Sequence, residues 1–181
     1  MEELRLVAPS ARYASQIADY RAEFLANGDS MDGTANLRKF EDPADWLSWL
    51  AQTAAEETCP AGLVPETEFL CVRTADDRLV GMIDIRHRLN DYLLQFGGHI
   101  GYSIRKSERR KGYAKEQLRL ALEESRVLGL TRVLITCSRE NAGSQRTILS
   151  AGGELENEVF DPGDGTMTQR YWVPVQRAQN T

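Results

Sequence analysis

The sequence has little cysteine. Its 181 residues include three cysteines, and Cys59, Cys71 and Cys137 lie far apart along the chain. An odd, scattered set argues against a disulfide framework and offers no paired spacing for metal ligands. We therefore expect neither structural disulfides nor a metal ion in the site.

Long apolar runs are also lacking. No stretch approaches the ~18 residues that cross a bilayer. The first residues, Met1-Glu2-Glu3, are acidic where a signal peptide would be basic. These features predict a cytoplasmic protein that makes no contact with a membrane.

A positive net charge is missing as well, since the formal net charge is −5. Nonspecific binding of nucleic acid depends on clustered Lys and Arg that neutralise phosphates, so we expect no nucleic-acid partner. Only residues 105–119 are markedly basic. This local reversal of charge suits a polyanionic cofactor, although a solvated helix face has the same composition.

A hydrophobic content of 41% in a chain of this length is enough for one well-buried α/β domain and too little for two. No internal repeat or low-complexity segment is visible. We expect a single domain over residues 1–175, followed by a frayed C-terminal tail over 176–181.

The most informative stretch is the turn from Arg109 to Ala114. A short alternating run ends at Ile104, and an amphipathic pattern begins at Ala114, which together predict a strand, a basic glycine loop and a helix. The first N–H groups of a helix lack intrahelical acceptors and carry a partial positive charge. Gly112 allows a ligand to approach the backbone closely. The stretch therefore predicts a site for a phosphate or pyrophosphate.

Two common phosphate loops do not fit this spacing. A P-loop needs Gly-Lys-Ser/Thr, whereas Gly112 is followed by Tyr113-Ala114, and the dinucleotide fingerprint needs a glycine that Lys115 does not supply. The remaining pattern, Arg-x-x-Gly-x-Ala, resembles the signature of the Gcn5-related N-acetyltransferase (GNAT) superfamily, usually written Gln/Arg-x-x-Gly-x-Gly/Ala.

The order of predicted elements is similar to that of the same family. A strand over 132–137 follows the helix, Asn141 starts a shorter helix, and strand-like runs at 154–160 and 169–175 complete the chain. The resemblance implies an α/β (α+β) GNAT fold, in which a mixed central sheet of about six to seven strands is splayed between the fourth and fifth and flanked by about four helices.

The resemblance also implies an enzyme, an acyl-CoA-dependent N-acetyltransferase. A primary amine would attack the thioester of acetyl-CoA directly in a ternary complex, without a metal. By position, the backbone of Ile104 and Lys106 would pair with pantetheine, Asn141 would contact the pantetheine arm, and Ser144 would let it pass. The loop residues that would hold the pyrophosphate are Arg109, Arg110, Lys111, Gly112, Tyr113, Ala114 and Lys115.

The sequence departs from the family at the usual general acid. Many members carry a Tyr seven residues after the helix-capping Asn, and here that position is Ile148. Tyr102, Tyr171 and Ser150 are substitutes by proximity in the expected topology. Alternatively, the thiolate leaves unprotonated or takes its proton from water.

Two residues are candidates for the general base. His99 lies on the strand before the loop, and its unperturbed pKa of about 6.5 suits the task, although a buried His satisfied by the backbone fits equally well. Asp84, on the neighbouring strand, would act through water. The catalytic candidates are thus His99, Tyr102 and Asp84. Cys137 lies beside the expected thioester, but a covalent route requires an activated thiolate.

The acceptor is the least determined feature. Residues 28–45 contain five acids and two bases, in a segment that forms a wall of the acceptor pocket in this family. A cationic amine would be favoured there, or the charge serves only solubility. Small polyamines, aminoglycoside-like molecules, amino acids and a peptide N-terminus remain open. The exposed edges of the terminal strands favour a homodimer.

Two functions of other classes remain open. The chain would be an acyl-CoA sensor without turnover if the missing Tyr reflects lost catalysis. It would be a nucleic-acid or protein adaptor if residues 105–119 act as a basic patch, and binding would then weaken steeply with salt.

Overall fold

The computed structural model describes residues 2–175. The strands are β1 (Leu4–Val7), β2 (Glu66–Arg73), β3 (Arg78–Arg86), β4 (Ile100–Ile104), β5 (Arg132–Ser138), β6 (Glu154–Asp161) and β7 (Thr166–Pro174). The α-helices are α1 (Ala14–Asn27), α2 (Pro43–Thr53), α3 (Tyr113–Val127) and α4 (Ala142–Ser150). The predicted tail over 176–181 lies outside the described residues.

The strands form two sheets. In the first, β1 to β4 are antiparallel neighbours in chain order, and in the second, β7 lies between β5 and β6. The predicted α/β architecture is confirmed, because seven strands flanked by helices are divided between the fourth and the fifth.

Helices α1 and α2 cover one face of the first sheet. Apolar residues at helical spacing in α1, namely Ile17, Tyr20 and Phe24, are buried there. Helix α2 begins with Asp42, whose Oδ1 accepts the N–H of Ala44 at 2.8 Å. This cap fixes the start of a helix that lies against β2.

The opposite face of the first sheet shares a core with the second sheet. The buried residues that join them come from β3, β4, α3, β5 and α4, and include Ile83, Ile85, Ile100, Leu118, Val133, Ile135 and Ile148. Strands β4 and β5 belong to different sheets, and we call the gap between them the opening. Since both sheets bury the same cluster, they are held together on one side of this opening.

The segment between α1 and α2 is folded onto the first sheet. Trp46 of α2 is fully buried, and its indole N–H donates to the carbonyl of Thr34 at 3.0 Å. On the other side, the Ser103 hydroxyl of β4 donates to the carbonyl of Asp32 at 2.6 Å. Part of the segment 28–41 therefore lies against β4.

Candidate active site

The predicted phosphate loop lies between β4 and α3. Arg110 and Gly112 have positive φ angles of 63° and 84°, and left-handed residues of this kind turn backbone N–H groups into a concave anion-binding arrangement. Gly112 is the N-cap of α3, and no side chain caps the first N–H groups of the helix. The loop thus presents bare amides and a helix N-terminus, which together favour an anion.

The side chains of the loop differ in how far they are engaged. The Nε of Arg109 donates to the carbonyl of Ile104 at 2.8 Å, and its guanidinium lies 2.9 Å from the Asp29 carboxylate. Arg110 and Lys115 are exposed, and within residues 2–175 neither has an ion-pair partner. These two cations are available to a pyrophosphate, whereas Arg109 occupies one of the two acceptor sites of the Ile104 carbonyl.

Glu108 holds the loop from beneath. Its carboxylate is buried and lies 2.7 Å from Lys111, 2.7 Å from Arg78 and 3.0 Å from Arg73. Because three cations surround it, the pKa of Glu108 is held below its usual range despite the opposing effect of burial. Lys111 therefore fixes the loop conformation in this structure instead of facing the helix N-terminus. Lys106 is exposed, and its ammonium lies 3.3 Å from the Asn27 side-chain oxygen.

His99 joins the two sheets at the closed end of the opening. The backbone N–H of His99 donates to the carbonyl of Leu134 at 2.7 Å, and the ring Nδ1 of His99 accepts the backbone N–H of Leu134 at 2.9 Å. Gly98 permits this close approach, because its φ is +67° and a Cβ there would lie 2.5 Å from the Leu134 carbonyl oxygen. Burial, helped by the nearby Arg86, lowers the pKa of His99 to about 4. The imidazole is therefore neutral at physiological pH, with its Nδ1 lone pair already engaged.

Tyr102 crosses the opening. Its hydroxyl lies 2.8 Å from the Ser144 hydroxyl at the start of α4. Asn141 caps that helix, with its Oδ1 accepting the Ser144 N–H at 3.0 Å. Burial raises the pKa of Tyr102 to about 12, so the phenol keeps its proton at neutral pH. Three of the predicted site residues thus meet at one point between β4 and α4.

Asp84 lies on the other face of the sheet. It is 2% exposed, its Oδ1 accepts the Gly101 N–H at 3.0 Å, and its Oδ2 lies 3.2 Å from Arg86. Burial raises the pKa of Asp84 above its ordinary value. Asp84 therefore contacts Gly101, the residue before Tyr102 on β4, from the face of the sheet opposite to the Tyr102 side chain.

The sequence was compared with models of known protein families. The model of the acetyltransferase (GNAT) domain matches residues 5–154, which is most of the chain. The chain belongs to the GNAT acetyltransferase family.

Solved GNAT structures share the fold at low sequence identity. The microcin C7 self-immunity acetyltransferase MccE, in complex with acetyl-CoA and AMP, is 18% identical over 96% of this chain and 93% of its own, with a TM-score of 0.68. The ribosomal-protein-S5-alanine acetyltransferase from Vibrio fischeri is 17% identical over 96% and 92%, with a TM-score of 0.69. RimJ from Mycobacterium smegmatis, in complex with CoA-disulfide, is 16% identical over 98% and 85%, with a TM-score of 0.71. A search of curated protein sequences found no significant match.

The other acid candidates of this GNAT domain are engaged in structural contacts. Ile148 is fully buried in the shared core, so its position contributes an apolar side chain to packing. The Tyr171 hydroxyl donates to the Gln169 side chain at 2.7 Å, and the Ser150 hydroxyl donates to the Thr147 carbonyl at 2.7 Å. Tyr102 differs from these two because its hydroxyl contacts Ser144 across the space between β4 and α4.

Cys137 lacks the features of a nucleophile. It is 9% exposed, and burial raises the pKa of its thiol to about 11. A buried thiol of this kind stays protonated at neutral pH, and the thiolate is the reactive form. The geometry therefore favours direct transfer over a cysteine-linked intermediate.

The acids of residues 28–45 are more dispersed than the sequence suggests. Asp29 pairs with Arg109 of the loop, and Asp42 caps α2. Asp32 is exposed beside β4 and accepts the Ser30 hydroxyl at 2.8 Å. Of these three acids, Asp32 is the one that neither pairs with a cation nor caps a helix.

Sequence reasoning missed a second group of carboxylates, Glu66 and Glu68 on β2. They lie on the face that α2 covers, opposite Arg86 and Asp84 of β3 in the strand register. The signal was present, since two acids at a spacing of two residues precede the apolar Leu70 and Val72 on one strand. Acids in a strand are ordinarily assigned to a solvated face, so this pattern alone does not predict their burial.

Proposed function

We propose that this GNAT domain transfers an acetyl group from acetyl-CoA to a primary amine, by direct attack of the amine in a ternary complex. The observation that carries the proposal is the opening between β4 and β5, which has an anion-binding helix N-terminus at one end and Tyr102 with Ser144 inside it. Family membership and the CoA complexes of similar structures support acyl transfer from this cofactor.

The proposed cofactor contacts follow the loop and the start of α4. The amides of Arg110 to Ala114 and the side chains of Arg110 and Lys115 would bind the pyrophosphate, and Arg109 would join them after leaving Asp29. Asn141 and Ser144 would border the pantetheine arm. Acetyl-CoA would supply the activated acyl group, and residues of this chain would bind it and move the protons.

Each catalytic candidate receives a distinct role in the proposal. Tyr102 would donate a hydrogen bond to the departing thiolate, and it would pass its proton on only as it receives the proton that the attacking nitrogen loses. The net transfer is then from the nitrogen to the thiol, and the phenol is restored. Asp84 would accept a proton from the ammonium of the acceptor through water, because burial has raised its pKa. His99 would be a positioning residue that fixes the end of the opening, since its Nδ1 is occupied.

The test is free-thiol release from acetyl-CoA in the presence and absence of amines. The proposal predicts release that depends on an added amine and produces one N-acetylated amine per thiol. Tight CoA binding without release for any amine would favour the acyl-CoA sensor instead.

A further inference from the structure

The side from which an acceptor would enter the opening follows from the alternation of side chains in β4 and β5. Ile100 of β4 and Ile135 of β5 belong to the core that α3 and α4 cover. Because successive side chains of a strand point to opposite faces, those of Ser103 and Thr136 point away from α3 and α4. The proposed cofactor contacts lie on the side of these two helices. The acceptor would therefore approach from the face that carries Ser103 and Thr136.

A segment that we call the strap, residues 92–98, crosses this face beside the opening. It contains a π-helical turn over Leu93–Gly97, and such turns are frequent at functional sites. Its backbone carbonyls accept hydrogen bonds of 2.7 to 3.2 Å from side chains of three strands, namely Arg86 of β3, Thr136 of β5 and Arg170 of β7. These contacts fix the strap over the second sheet, at the edge of the opening.

The strap presents apolar side chains to solvent. Tyr92 is 63% exposed, and Leu94 is exposed as well. The ring centroids of Tyr92 and Phe96 lie 5.7 Å apart, and a Cβ added to Gly97 would lie 3.8 Å from the Tyr92 ring, just before the start of β4. An exposed aromatic pair of this kind offers a surface on which another ring or an aliphatic group can pack.

Residues 31–36 border the same face on the side of the first sheet. The Ser103 hydroxyl donates to the Asp32 carbonyl at 2.6 Å, and the Asp32 side chain is exposed. Burial is the main cause of the raised pKa values of Asp84 and Tyr102, and the negative charge of Asp32 adds to both. The Asp32 carboxylate is therefore close enough to the opening to attract a cation there.

The strap and residues 31–36 lie within the reach of one small ligand. A Cβ on Gly33 would lie 2.3 Å from the Gly101 carbonyl oxygen, so Gly33 packs directly on β4. Gly97 of the strap precedes Gly101 by four positions, which span at most roughly 14 Å. An amine between the two segments can place its nitrogen on the side of Asp32 and an apolar group on the side of Tyr92.

We propose that the strap determines acceptor specificity, and that the acceptor is a primary amine with an aromatic or bulky aliphatic group two or three bonds from its nitrogen. This inference rests on the proposed function, because it names the substrate class of that site. Tyr92 and Leu94 pack against the apolar group, and Asp32 attracts the ammonium before it loses its proton. The free amine of a small molecule and the amino terminus of a peptide share this chemistry.

Matched amines test the proposal on the unaltered protein. The molecules 2-phenylethylamine and ethylamine differ only by the ring, and we expect kcat/KM for thiol release to be about tenfold higher with the ring, mainly through KM. This is the range for burying one face of an aromatic side chain. A tripeptide of phenylalanine and two glycines, compared with triglycine, repeats the test for a peptide, and the pair with the larger kcat/KM identifies the source. Equal kcat/KM within both pairs would overturn the proposal.

Variants of Tyr92 locate the preference on the strap. Tyr92→Ala should lower the kcat/KM ratio of the two amines at least threefold, and Tyr92→Phe should retain the ratio. Phe160→Ala is the matched control, because Phe160 is 59% exposed and lies on the other face. Its register partner Met167 shares that face with Tyr171, which belongs to the core that α3 and α4 cover. An unchanged ratio in Tyr92→Ala would also overturn the proposal.

Binding without turnover separates this inference from the proposed function. Calorimetry measures the affinity of 2-phenylethylamine and of ethylamine for the protein saturated with CoA. Thiol release with both amines and equal affinity for them would refute the role of the strap and retain the acetyltransferase. Tighter binding of 2-phenylethylamine with no thiol release from any amine would refute the acetyltransferase and retain the strap as a binding surface.

Discussion

Tyr102 connects β4 to the start of α4 through its contact with the Ser144 hydroxyl. Its proposed role rests on this location, because the raised pKa shows only that the phenol holds its proton at neutral pH and can donate a hydrogen bond. The position usually held by the acid in this family is occupied by a core isoleucine. Under the proposed function, the phenol would therefore come from β4.

Replacing Tyr102 with Phe should lower kcat by about 10²-fold, in the range measured for general acids, and leave CoA affinity unchanged. Steady-state kinetics and calorimetry measure the two effects. Tyr171→Phe is the matched control, since it also loses one side-chain hydrogen bond but lies in the core. An unaltered kcat in Tyr102→Phe would leave water as the proton donor.

His99 predicts a dependence of stability on pH. Its folded pKa of about 4 lies below the value of about 6.5 expected for the unfolded chain. The unfolded state therefore binds more protons between these values, so the contribution is complete above pH 6.5 and is lost as the pH falls toward 4. The full loss is about 3 kcal/mol of unfolding free energy.

Urea unfolding of the wild type and His99→Asn between pH 4 and 7 measures this difference. Asn retains an acceptor for the Leu134 N–H and does not titrate, so its stability should fall less steeply with acidification. His87→Asn is the control, because His87 is less buried and should change the slope less. Parallel pH profiles for wild type and His99→Asn would show that protonation of the His99 ring does not contribute to the pH dependence of stability.

At the scale of elements, the loop from 106 to 112 and helix α3 act as one unit. Glu108 fixes the loop through three cations, while Arg110 and Gly112 direct the backbone amides outward. The binding of a pyrophosphate should depend on this backbone as much as on the side-chain charges. A negative side chain at the helix N-terminus would oppose both.

The double variant Arg109→Ala, Gly112→Asp should weaken CoA binding by about 100-fold or more, because it removes a cation and places a carboxylate against the bare amides. Isothermal calorimetry gives the affinity. Arg119→Ala on the exposed side of α3, where Arg119 pairs with Glu116 and Glu123, removes the same charge away from the loop and should have little effect. Unchanged affinity in the double variant would exclude the loop as the pyrophosphate site.

Elements were predictable where local signals and periodicity agreed. The strand at 132–137 and the helix after Gly112 follow from patterns of neighbouring residues, and the structure confirms them. Two features depend on contacts distant in sequence. The pairing of His99 with Leu134 and the burial of Glu68 beneath α2 are set by tertiary packing, which no local pattern encodes.

At the scale of the whole molecule, the two sheets share one core across the opening. Ile85 of the first sheet and Ile135 of the second belong to the same buried cluster. Among residues 2–175, no helix is long and apolar enough to cross a membrane. A shared core predicts that the sheets unfold together as the single domain expected from the length of the chain.

Ile135→Ala should reduce the free energy of unfolding by about 2–5 kcal/mol while keeping one cooperative transition. Far-UV circular dichroism and tryptophan fluorescence in urea should give coincident curves, because the shared core couples the two sheets. The fluorescence combines Trp46 and Trp49 of α2, beside the first sheet, with Trp172 of β7 in the second. Leu155→Ala, at a position 49% exposed, is the surface control and should cost much less. Separate transitions for the two signals would indicate that each sheet folds alone.

The central claim is that the opening between β4 and β5 carries out acetyl transfer to an amine. The most direct test follows acetyl-CoA carrying an isotopic label in the acetyl group, measuring free thiol and N-acetylated product together across a panel of monoamines and diamines. We expect amine-dependent thiol release, with one labelled acetylamine formed per thiol and with Tyr102→Phe slowing both equally. Tight CoA binding with neither product for any amine would contradict the account and identify the domain as a sensor of acyl-CoA.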